Sequence, residues 1–160
     1  MKLIVYIAFI LGTAFSVKVL HIGRYLHQID ENMYDILRPI NDSDFTKESG
    51  DQLLSYIKHY YEKFIEFDQQ VKNRTNGIDK AADFFLTNKG PQFIHLMIND
   101  SKKKLKKAFH WDDEKLQIYI DTKKKIQKLW RKFKIHVHDM KYDEQIRRIE
   151  ESLKKNPQYK

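Results

Sequence analysis

The sequence predicts an all-α protein, an antiparallel helical bundle of four or five helices in a single domain. Apolar residues recur at steps of three and four along most of the chain, the period of a helix with one buried face. Five glycines and three prolines in 160 residues leave little turn punctuation for a sandwich or barrel. No stretch alternates with a period of two for more than a few residues; Ile135-His136-Val137-His138 does, but inside a lysine-rich helical run it reads as helix.

Val19, Ile22, Leu26, Ile29, Met33 and Ile36, widened by Leu37, set out the first helix, which Arg38-Pro39 stops. Ile40 to Gly50 is polar and turn-rich, and Ser49 followed by Gln52 forms a capping box for a second helix. Leu53, Tyr56, Ile57, Tyr60, Tyr61, Phe64, Ile65 and Phe67 give that helix a broad aromatic face that runs to about Lys72. After the loop Asn73 to Gly77, a short segment carries Ala81, Ala82, Phe84, Phe85 and Leu86. Pro91 suits the first turn of another helix, in which Phe93, Ile94, Met97, Ile98, Leu105, Ala108 and Phe109 hold helical spacing up to Trp111. Asp112 and Asp113 cap the next, whose stripe is Leu116, Tyr119, Ile120, Ile126, Leu129, Trp130, Phe133 and Val137. A last helix, Asp143 to about Lys155, carries Ile146, Ile149 and Leu153 before Asn156-Pro157.

Residues 1–16 read as a secretory signal peptide: Lys2 is the positive n-region, Leu3 to Leu11 the apolar h-region, and Ala14-Phe15-Ser16 the cleavage site. The apolar run is short for a membrane span and is soon followed by His21, Arg24 and Asp30. The expectation is a secreted, extracellular protein whose residues 17–160 form one helical domain. Small exported domains usually lean on disulfides, yet there is no cysteine, so burial alone must hold this one. The same absence excludes thiolate zinc sites, cysteine nucleophiles and cysteine-ligated clusters.

Charge is divided unevenly. Residues 17–101 hold ten Lys and Arg against thirteen Asp and Glu, whereas residues 102–160 hold nineteen against nine. Lys102, Lys103, Lys104, Lys106 and Lys107 form one basic cluster. Lys123, Lys124, Lys125, Lys128, Arg131, Lys132 and Lys134 form a second, seven cations in twelve residues with no acid between them. A basic amphipathic helix suits an anionic glycan, a glycoprotein or a membrane surface, and is also what a solvated lysine face looks like. Nucleic acid fits an exported chain poorly.

Tyr56, Tyr60, Phe64, Trp130 and Phe133 lie on faces that should meet. Such a stripe makes a filled core, or else lines a cavity for a lipid-like ligand. Asn41, Asn73 and Asn99 open three glycosylation sequons. The seven histidines have no metal-ligand spacing, and His136 and His138, two apart, point to opposite sides of a helix. No nucleophile elbow, phosphate loop or dinucleotide fingerprint is present. The expectation is a non-enzyme with no metal and no cofactor.

The lysine-initial leader and the helix, acidic turn and helix of Leu105-Lys106-Lys107-Ala108-Phe109 and Asp113-Glu114-Lys115-Leu116 resemble the group 5 and group 21 mite allergens, over a minority of the chain. That resemblance implies an exported, cysteine-free helical bundle with an internal apolar ligand site and no catalysis. In physical character alone the chain is similar to gastropod sperm lysins, which implies a lysine-tracked face binding an extracellular glycoprotein. The functional expectation is a secreted binding protein; the alternative is a secreted interaction, signalling or gamete-recognition protein.

Overall fold

A computed structural model describes residues 21–38, 47–96 and 102–155. The expected leader, Asn41 and Asn99 lie outside these residues. The described chain is all helical apart from its turns: α1 (residues 21–37), α2 (Lys47–Lys72), α3 (Ile78–Thr87), a 3-10 turn at Gln92–His95, α4 (Lys102–Phe109) and α5 (Asp113–Lys155).

The long helices α2 and α5 form the spine. They run parallel, where the expected bundle has antiparallel neighbours, because the chain returns through α3 and α4 before α5 begins: Lys115 reaches Asp51 near their starts, Phe64 meets Trp130 and Phe133 midway, and His136 meets Asp68 near the end of α2. Helix α1 runs antiparallel to α2, with Gly23 beside Phe67 and the Tyr25 hydroxyl 2.8 Å from His59 Nε2. Its stripe is buried as its period predicts, through Leu26, Ile29, Met33 and Leu37. Helix α3 closes the third side of the core with Ile78, Ala81, Ala82 and Phe85. Beyond it the chain turns through Gly90, whose φ is +61° and where a Cβ would stand 2.4 Å from the Trp130 ring. Only glycine satisfies both the left-handed backbone and that close approach.

Four further expectations are corrected. Helix α2 begins at Lys47, so Ser49 and Gln52 lie inside the helix and are not its cap. Pro91 starts no α-helix but precedes the 3-10 turn, whose first backbone N–H groups, those of Gln92 and Phe93, donate to Asp30 of α1 at 2.8 and 3.0 Å. The next described helix is Lys102–Phe109. Ile65, expected in the aromatic face of α2, is 45% exposed, being one residue past buried Phe64 and turned away from α5. Finally, the last two expected helices are one, the 43-residue α5. His138-Asp139-Met140-Lys141-Tyr142 contains neither glycine nor proline, so nothing interrupts the backbone hydrogen bonds. The expected cap of this helix is present: the Asp112 carboxylate accepts the Lys115 backbone N–H at 2.8 Å.

The core face of α5 is Leu116, Tyr119, Ile126, Trp130, Phe133, Val137 and Met140. Past Met140 the helix leaves the bundle. Arg74, just after α2, pairs with Asp143, and every residue from Gln145 to Lys155 is exposed. Ile146, Ile149 and Leu153, the apolar residues of the expected last helix, stand 39%, 56% and 48% exposed. They lie about 120–180° round the helix from Phe133 and Val137, so the apolar face changes sides where the bundle ends.

Candidate anion-binding face

The outer face of α5 is built by the same periodicity that builds the core. With Ile126, Trp130 and Phe133 pointing inward, helical geometry turns Lys124, Lys128 and Arg131 outward, flanked by Lys125 and Lys132. All five are exposed, as is Lys134. None of the six forms an ion pair with a described residue. Two of them lean on aromatic rings: the Lys134 ammonium lies 5.4 Å from the Trp130 ring centroid and that of Lys125 5.9 Å from Tyr61. Such contacts hold the aliphatic stems against the protein while the charge stays in water. Lys128 neighbours Lys124, Arg131 and Lys132 at helical steps of three and four, and each like-charge pair costs a few tenths of a kcal/mol. A bound polyanion would remove that cost.

Lys123 does not belong to this face. It is 8% exposed and engaged within the fold, because it stands on the inner stripe four residues from Tyr119 and three from Ile126.

The α4 cluster is separate. Lys102, Lys103, Lys104 and Lys107 are exposed, while Lys106 donates to Asp113 at 2.8 Å. That pair fixes α4 at the start of α5, and about 16 Å of helix lies between Asp113 and Lys124. The two clusters are therefore not one continuous patch on α5.

The aromatic residues meet as expected. Tyr60, Phe64 and Phe133 are fully buried, Trp130 nearly so, and Tyr56 is half-buried with its hydroxyl accepting from Gln52 at 3.0 Å. Phe64 has Phe133, Phe85, Tyr60 and Trp130 around it at centroid distances of 5.3, 5.4, 5.8 and 6.3 Å. These are contact distances for tilted and edge-on rings, so the interior between α2, α3 and α5 is occupied by the side chains themselves. A groove of about 530 Å³ lies elsewhere, between the α2–α3 turn and α5. Arg74, Lys141, Arg147 and Arg148 line it together with Asp79, Asp83 and Glu144, a charged surface unsuited to a lipid-like ligand.

Two buried carboxylates were not anticipated. Asp30, 1% exposed, holds the 3-10 turn through the two N–H groups already described. Burial pushes its carboxyl up to about 6, against the opposing pull of those donors. The Tyr60 hydroxyl is buried beside it with no hydrogen-bond partner among the described residues, and burial raises it well above the usual tyrosine range. Asp68 sits between His136, 2.6 Å from its Nδ1, and Lys72 at 3.8 Å. His138 stands on the other side of α5, 80% exposed, so the two histidines are separated as their spacing predicts. Asp68 joins α2 to α5. Among the described residues no three His, Asp or Glu side chains converge on a point where a metal could sit.

Asn73 is exposed in the turn after α2, where its side-chain oxygen accepts from Gln69 Nε2 at 3.2 Å. No described helix is long and apolar enough to cross a membrane. No family model matches the chain, and neither a curated protein nor a solved structure is found similar to it.

Proposed function

We propose that this is a secreted, non-enzymatic binding protein whose outer α5 face engages an anionic extracellular glycan or glycoprotein. The observation that carries this reading is the row of six exposed cations, Lys124 to Lys134, with no acidic neighbour in the run and no ion pair to a described residue. Exposed lysine and arginine rows on a rigid helix attract a polyanion over a Debye length and hold it by many weak, salt-sensitive contacts. Ring-to-ring packing of Tyr60, Phe64, Trp130 and Phe133 favours this surface over the interior as the binding site. A gamete-recognition or signalling role would use the same face.

The test is salt-dependent retention on immobilised heparin. The combined change Lys124→Glu, Lys128→Glu, Arg131→Glu and Lys132→Glu should abolish retention at physiological salt. A control with the same change in net charge, Lys80→Glu, Lys102→Glu, Lys103→Glu and Lys107→Glu, should retain most of it. Equal loss in both would reduce the effect to net charge and remove the face from the argument.

A further inference from the structure

The α5 extension carries an apolar strip with no partner in the fold. Ile135, Tyr142, Ile146, Ile149 and Leu153 are 59%, 57%, 39%, 56% and 48% exposed. Their spacing of seven, four, three and four is that of the a and d positions of a heptad, with Asp139 in the remaining place. The strip runs about 27 Å along the helix. It faces away from Phe133, Val137 and Met140, so a second helix can lie along it without meeting the bundle on the other side.

We infer that a second copy of this chain covers the strip, the two α5 extensions packing in parallel and in register. Charge chooses the occupant. Residues 139–155 hold five Lys and Arg against five Asp and Glu, so two such segments approach without the repulsion that the rest of the basic half imposes. An anionic membrane gains nothing from a neutral segment, and a bilayer interface would strip water from Asp139, Asp143 and Glu150 at the borders of the strip. The borders also choose the direction. Asp143 and Glu150 occupy e positions on one edge, and His138 and Gln145 occupy g positions on the other. In a parallel pair, His138 faces the partner subunit's Asp143, and Gln145 faces the partner subunit's Glu150. In an antiparallel pair the acidic edges would face each other. Asp139 meets its own counterpart in the parallel pair and the two carboxylates repel, so close packing starts at Tyr142 and runs about 16 Å to Leu153, with Ile135 beyond its edge.

Sedimentation equilibrium of the whole chain over a wide concentration range tests the association. The expected result is a concentration-dependent oligomer that Ile146→Glu with Ile149→Glu weakens by at least about tenfold. Both positions are exposed, so helical circular dichroism should not change. A monomer at every concentration overturns the inference. So does binding to phosphatidylserine vesicles that the same double change abolishes while the protein stays monomeric, since the strip would then be a membrane contact. The absence of cysteine makes the register readable: Ile149→Cys should cross-link to itself under mild oxidation. Preferential cross-linking of an Ile146→Cys chain to an Ile149→Cys chain would identify the antiparallel pair and overturn the arrangement inferred.

Discussion

Replacing Asp30 with asparagine should change the way stability depends on pH. Asp30 is buried, and its carboxyl titrates at about 6 in the folded protein against 3.8 in a solvated chain. Folding therefore favours its protonated form. Its contribution is fully present below about pH 3.8 and is lost as pH rises through 6; a difference of roughly two pKa units corresponds to about 3 kcal/mol. Asparagine keeps an oxygen for one of the two backbone donors and carries no charge at any pH. The stability of Asp30→Asn minus that of the parent should accordingly become more favourable by about 3 kcal/mol between pH 3.8 and 7.5. The other carboxylates titrate in both proteins and cancel in the difference. Urea unfolding followed by Trp111 and Trp130 fluorescence, repeated across this range, measures it. A difference that stays flat with pH, or that moves the opposite way, would refute the account of Asp30 as a buried carboxylate held against its desolvation cost.

Three further outcomes follow from packing. Gly90→Ala should cost about 3 kcal/mol in urea unfolding, combining left-handed strain with a Cβ driven into the Trp130 ring. Phe64→Ala should cost about 3–5 kcal/mol as a core cavity, whereas Ile65→Ala next to it should stay within about 0.5 kcal/mol in a monomer. Asp112→Ala removes the cap of α5 and should cost about 1 kcal/mol, read by the same assay.

Helical period alone placed α1, the aromatic face of α2 and the core stripe of α5, because each buries one face against another helix and breaks at a clear signal such as Arg38-Pro39 or Asp112. What period could not place depends on contacts distant in sequence. The turn at Gln92–His95 is anchored by Asp30, some sixty residues away, whose carboxylate accepts its first two backbone N–H groups. The expected break before Asp143 rested on a change in apolar pattern. That change marks where the bundle ends, not where the helix does. Of the candidate site, six cations of the second cluster are on the surface, and Lys123 is not. Its position was legible, since it falls in step with Tyr119 and Ile126. The buried carboxylates were legible on the same grounds: Asp30 stands four residues after Leu26 and three before Met33, and Asp68 follows Phe67 four residues after Phe64. A charged residue in an apolar stripe points to a backbone or side-chain partner.

The reversal of the apolar face at Met140 also divides α5 in time. Up to that point α5 packs on α2, with α4 at its start and α3 further along, so its amides should be among the last to exchange. Beyond Asp143 the ion pairs among the described residues are local ones, Glu144 with Arg147 and Arg148, and Arg147 with Glu151, each contributing a few tenths of a kcal/mol. In a solitary molecule those last turns would melt and re-form many times between global unfolding events, exchanging their amide protons early. Trypsin could reach Arg147 and Arg148 during such an opening and trim the chain there, leaving the core and both tryptophans in place.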